Sequence, residues 1–146
     1  MIGPAKSVGQ LNSFLRGEIS AVETYRQAIE KVKDTRALTE LKDCVQSHER
    51  RAELLKDQIQ KLGGKPETSS GLWGSFAKLV EGGATAFGDK AAIAALESGE
   101  DHGLADYKAD LKDLDPESQK LVQQQLLPDQ EITHRTLSNL KKSLSN

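Results

Sequence analysis

Residues 16–25 read RGEISAVETY and residues 97–107 read ESGEDHGLADY. In each, a Gly-Glu pair is followed, seven residues after the glutamate, by a tyrosine: Glu18 with Tyr25, and Glu100 with Tyr107. A step of seven puts both side chains on one face of an α-helix. Whether that face is wet or buried decides the fold, and the neighbouring residues answer. Alternating steps of three and four lead from the first pair to Leu11, Leu15, Val22, Ile29 and Val32. From the second pair they lead to Ile93, Leu104, Leu111 and Leu114. The glutamates stand where leucines otherwise would, so the face reads as an interior seam.

The same counting predicts four long helices. The first runs from about Ser7 to Lys33. The second starts after Asp34-Thr35 with the seam Leu38, Leu41, Val45, His48, Ala52, Leu55, Ile59 and Leu62, and it stops at Gly63-Gly64 with Pro66 beyond. The third begins at Asp89, a favourable N-cap, and carries Glu97 on its seam. The fourth opens at Asp115-Pro116-Glu117, with proline at the first helical position, and runs to about Ser143. Short links predict antiparallel packing of helices one and two, and of three and four. The stretch from about Gly63 to Gly88 is long enough to travel the length of a bundle. The expected architecture is all-α: one antiparallel four-helix bundle domain spanning 1–146, with a long crossover between helices 2 and 3.

Composition supports helices and narrows the function. Charged residues make up 29% and aromatics only 4%, with Ala, Leu, Glu, Lys and Gln abundant, which favours amphipathic helices over sheet. A net charge of −2 gives no reason to expect a nucleic-acid partner or an anionic membrane surface. No stretch approaches a membrane span, and MIGPAKSVGQ lacks the apolar core of a signal peptide. The single cysteine, Cys44, allows no internal disulfide, so a reducing, cytoplasmic setting is expected.

The seams repeat. Moving helix one by 82 residues lays Leu11, Leu15, Glu18, Val22, Tyr25, Ile29 and Val32 on Ile93, Glu97, Glu100, Leu104, Tyr107, Leu111 and Leu114. Moving helix two by 86 lays His48 on His134 and Val45 on Glu131. The chain reads as two related hairpins. An ionised carboxylate in a seam is costly unless paired, hydrogen-bonded or metal-bound. Each helix offers such a group: Glu18, His48, Glu100, and the Glu131-x-x-His134 pair, with Glu97 able to add a carboxylate one turn before Glu100. Carboxylate bundles that hold two metal ions take a Glu from each of two helices and a Glu-x-x-His from each of the others.

On these residues the chain resembles the ferritin-like superfamily, bacterioferritin and rubrerythrin in particular. LNSFLRGEISAVETY is similar to the first helix of bacterioferritin-type sequences. The combination of RGE…Y, LGGKPE and SGEDHGLADY looks most like an uncharacterised bacterial ferritin-like family. The resemblance implies iron or another divalent transition metal held by Glu18, His48, Glu100, Glu131 and His134, with Tyr25 and Tyr107 beside the ligands. It implies reaction with oxygen or peroxide, no nucleotide or organic cofactor, and a homodimer or larger assembly. The chain departs from the pattern at Val45, where the family places a metal-bridging glutamate. Glu97 or Cys44 would have to complete a changed site. The competing expectation is a non-catalytic helical interaction or stress-associated protein with a degenerate site, its polar residues joined in a buried hydrogen-bond network. His102 is expected in solvent and Cys44 in the core. Trp73, Phe76 and Leu79 are expected to cover the bundle end or form an exposed patch for dimerisation or a partner, and Pro128 to kink helix four just before Glu131 or divide it there.

Overall fold

The computed structural model describes residues 3–70 and 88–144. Four helices make up the described chain, and no strand occurs among those residues. We label them α1 (Pro4–Lys31), α2 (Thr35–Lys61), α3 (Asp89–Ala109) and α4, which spans 116–144. A 3-10 turn, Leu111–Asp113, joins α3 to α4. The expected Trp73, Phe76 and Leu79 cover lies outside the described residues.

Local chemistry sets the helix ends. Pro4 sits in the first turn of α1, where its missing N–H costs nothing. Asp34 caps α2 by accepting the Ala37 N–H at 2.9 Å. At the other end Gly63 takes φ +83°; its N–H reaches Gln60 O and that of Gly64 reaches Ile59 O, both at 2.9 Å. That is the Schellman arrangement, and it needs a glycine in the left-handed region. Asp89 departs from expectation: it is the first helical residue, and the preceding Gly88 makes no side-chain cap. Its carboxylate instead accepts the Lys33 N–H at 2.9 Å and the Asp34 N–H at 2.8 Å, fastening the start of α3 to the α1–α2 turn.

The end of α2 lies at the opposite end of the bundle. There Lys65 O accepts from Asn12, and Arg16 pairs with Glu67 at 3.2 Å. Both hairpins are antiparallel, and the cross-pairs Gln58–Ser118 and Arg50–Asp129 set α4 antiparallel to α2.

Helix α4 corrects one expectation, the residues it turns inward. Pro116–Leu121 is α-helical, Val122–Leu126 is π-helical, and Leu127–Leu144 is α-helical again. Pro128 has no N–H to give the preceding turn, and a π turn absorbs the defect without ending the helix. A π turn holds more residues than an α turn, so the buried face steps by fours through Ser118, Val122, Leu126 and Gln130 before returning to Thr133, Leu137 and Leu140. The inward pair is therefore Gln130 and Thr133, one residue ahead of the expected Glu131 and His134.

The apolar core has two parts. One, near the α1–α2 turn, contains Ala28, Leu41, Ile93, Leu96 and Leu137. The other contains Leu11, Leu15, Leu55, Ile59 and Leu126. Between them runs a layer of buried polar and charged side chains.

Candidate functional site

Four helices each contribute to this layer: Glu18 from α1, His48 and Arg51 from α2, Glu100 from α3, and Gln130 and Thr133 from α4, all at most 3% exposed. Tyr25 and Tyr107 close it from either side. The Glu–Tyr repeat is crossed in space. Tyr107 donates to Glu18 Oε2 at 2.5 Å, and Tyr25 donates to Glu100 Oε2. Each tyrosine thus serves the carboxylate of the other hairpin.

His48 lies between the two carboxylates. Its Nδ1 is 2.5 Å from Glu18 Oε1 and its Nε2 is 2.7 Å from Glu100 Oε2. An ionised carboxylate only accepts, so an imidazole bridging two of them must carry both protons and a positive charge. Arg51, fully buried, supplies the second cation. It stands 3.5 Å from Glu18 Oε2 and donates to Gln130 Oε1 and, at 3.1 Å, to Thr133 Oγ1. Thr133 in turn donates its hydroxyl hydrogen bond to Glu100 Oε1 at 2.7 Å, while Gln130 Nε2 donates to Glu100 O and Oε1, each at 2.9 Å. A Cβ at Gly103 would come within 2.8 Å of Gln130 Nε2, so the glycine makes room for that amide.

Charges and protons balance. Two carboxylates face one imidazolium and one guanidinium. Burial alone raises the Glu18 pKa, but Arg51 and His48 outweigh it and hold the carboxyl at about 2 instead of 4.5. Glu100 is lowered the same way, against burial, chiefly by His48. His48 is pushed down by burial and by Arg51, yet the two carboxylates prevail and raise it. Burial and the adjacent glutamates raise both tyrosines far above 10, so they stay neutral donors.

The predicted site residues fall into three places. Glu18, His48, Glu100, Tyr25 and Tyr107 come together. Glu131 is exposed on the outer side of α4. His134, a quarter exposed, bonds Asp101 and stands 4.0 Å from Glu97 at the rim of the α3–α4 pair, away from the buried layer. Glu97 there also accepts from Ser138 at 3.2 Å and lies 3.7 Å from Lys141. Cys44 is buried, and burial and Glu100 push its thiol up to about 12. His102 faces solvent beside Asp106.

Three members of the layer escaped the sequence reading: Arg51, Gln130 and Thr133. Arg51 had a signal, since it follows His48 by one helical turn on the same face. The two α4 residues had only Pro128, whose π segment resets the register.

A metal pair does not fit this donor set as arranged. Val45 on α2 and Gln130 and Thr133 on α4 are buried but bring no carboxylate or imidazole. Glu18 and Glu100 lie at opposite edges of the one imidazole, and its two nitrogens are both committed to them. Among the described residues, the only three His, Cys, Asp or Glu side chains offering ligand atoms within 4.8 Å of one another are Glu97, Asp101 and His134.

Comparison with known proteins gives one family. Residues 6–113, about three quarters of the chain, match the model of the domain of unknown function DUF2383. The chain belongs to the DUF2383 family. The matched stretch holds Glu18, Tyr25, His48, Arg51, Glu100 and Tyr107, and it stops before Gln130 and Thr133 in α4. No curated protein and no solved structure matches the chain. No helix among the described residues is long and apolar enough to cross a membrane.

Proposed function

We propose that this DUF2383 protein is a ferritin-type bundle, with the long crossover of that fold, in which two fixed cations replace the metal pair. His48 and Arg51 neutralise Glu18 and Glu100 from within the chain. On this reading the protein is a non-catalytic interaction module, and its interior charges serve to select one packing of the four helices. The observation that carries the reading is the double engagement of His48 at 2.5 and 2.7 Å. A metal ligand must present a free imidazole lone pair, and an imidazolium that donates to both carboxylates has none. The test is metal analysis of protein purified without chelator, together with Fe(II) oxidation in air. Substoichiometric metal and oxidation no faster than buffer are expected. Stoichiometric iron that is lost in His48→Ala would overturn the reading.

A second reading, binding of iron or another divalent ion, has support at a different place. Glu97, Asp101 and His134 bring an imidazole and two carboxylates within 4.8 Å, a donor set suited to a transition metal. The same metal analysis separates the two: stoichiometric metal that survives in His48→Ala and disappears in His134→Ala assigns the ion to the rim.

A further inference from the structure

Between α2 and α4 the bundle surface opens into a groove of about 300 Å³. Ile132 lines it from α4, is 56% exposed, and is the exposed large hydrophobic residue among those described. Carboxylates flank it: Asp129 on α4, and Glu40 and Asp43 on α2. Arg50, the one cation among the lining residues, stands 3.7 Å from Asp129 and answers it. Glu40 and Asp43 enter no ion pair among the described residues. The groove is therefore apolar at Ile132 and carries uncompensated negative charge toward one end.

Its shape is held from inside. Arg51 donates to Ser47 O at 3.3 Å and to Thr133 Oγ1 at 3.1 Å, and these two residues line opposite walls of the groove. The buried guanidinium braces α2 against α4, so the charge layer that selects one packing also sets the groove's width. A preformed groove takes a partner with little ordering cost.

Charge narrows the occupant. A second copy of this chain would bring acids against acids, and nucleic acid or an anionic lipid surface would be repelled. Among the described residues the groove's acids belong to no group of three metal-capable side chains, so a bare metal ion lacks its ligands. A cation carried on a side chain next to an apolar group fits. The spacing follows from the antiparallel helices. From the Arg50–Asp129 pair, α4 advances about 4.5 Å to Ile132, while α2 runs back about 10 Å to Asp43 and about 15 Å to Glu40. The two acids therefore lie about one and two helical turns beyond Ile132.

We propose that the α2–α4 groove docks a basic amphipathic helical segment of another protein, its apolar side chain on Ile132 and its Lys or Arg side chains, one and two turns away, on Asp43 and Glu40. This rests on the reading of the chain as an interaction module and names the chemistry of its partner.

The test is selection of random displayed peptides, about four helical turns long, against the intact chain. Enriched peptides should carry at least two Lys or Arg beside an apolar residue and bind with micromolar Kd, more weakly as salt is added. Glu40→Gln combined with Asp43→Asn should raise that Kd at least about tenfold, and so should Ile132→Ser alone. Helical circular dichroism checks that each variant folds. Enrichment of acidic or uncharged peptides, no enrichment, or a Kd indifferent to both variants overturns the proposal. So does a dimer of the unsubstituted chain that Ile132→Arg abolishes, which would give the groove to a second copy. Metal analysis of the unsubstituted chain and His48→Ala tests the underlying reading by itself, so the two failures are told apart.

Discussion

Replacing Arg51 by Met tests the charge layer at its least replaceable member. The substitution keeps a long apolar stem and removes only the guanidinium, which touches Glu18 at 3.5 Å, Thr133 at 3.1 Å and the Gln130 amide. Glu18 keeps its charge at a site only 3% exposed, and His48 is left as the one cation between two carboxylates. Removing one partner of a buried pair costs about 3–5 kcal/mol, a large part of the roughly 5–15 kcal/mol that holds such a domain together. At about 2–4 °C per kcal/mol for a chain of this size, Tm should fall by roughly 6–20 °C. Thermal and urea unfolding followed by circular dichroism at neutral pH reads the loss. Without Arg51 the Glu18 carboxyl is no longer held at about 2. It takes up a proton on acidification, so the deficit should narrow near about pH 4. Glu18→Gln in the same background should recover about 1–3 kcal/mol of coupling. A fall of less than about 2 °C, or strictly additive single and double variants, would refute the reasoning.

Further outcomes follow from the same layer. Holding Glu18 at about 2 rather than 4.5 contributes about 3 kcal/mol, present above the ordinary carboxyl pKa and lost as pH falls toward the folded value. Glu100 acts in the same direction, so the urea midpoint should drop between about pH 5 and pH 3; a flat midpoint there would contradict the pairing. His48 acts in the other direction. Its raised pKa contributes fully below 6.5 and is lost as pH rises through the folded value, so stability should also decline on the alkaline side. Tyr107→Phe removes the 2.5 Å donor to Glu18 and should cost about 1–3 kcal/mol by urea unfolding. Finally, Val45→Glu, Gln130→Glu and Thr133→His combined with Arg51→Leu should create binding of two divalent ions per chain, measured by metal analysis after dialysis. If that variant folds and binds none, the slot assignment is wrong.

The fold was legible because its signals are local and redundant. Seam counting, the Gly63-Gly64 stop and Pro116 placed four helices within a few residues. The Glu–Tyr repeat placed Glu18, Glu100, Tyr25 and Tyr107 in the interior, where they lie. Two features resisted. Asp89 has the chemistry of an N-cap, but its carboxylate is taken by backbone N–H groups of the α1–α2 turn, a tertiary contact with no mark in the local sequence. The α4 register failed because matching histidine to histidine assumed an uninterrupted α-helix, and the π segment before Pro128 moves the inward face by one residue. That single step exchanges Glu131 and His134, which suit a metal, for Gln130 and Thr133, which suit a hydrogen-bonded guanidinium.

The protonation of His48 separates a charge layer from a metal centre most directly. Nitrogen-15 NMR of the imidazole at neutral pH reads both ring nitrogens at once. A doubly protonated ring is predicted, with a proton on Nδ1 shared with Glu18 and one on Nε2 shared with Glu100. A neutral ring with one bare nitrogen, or one whose signal shifts on adding divalent metal, would contradict the account.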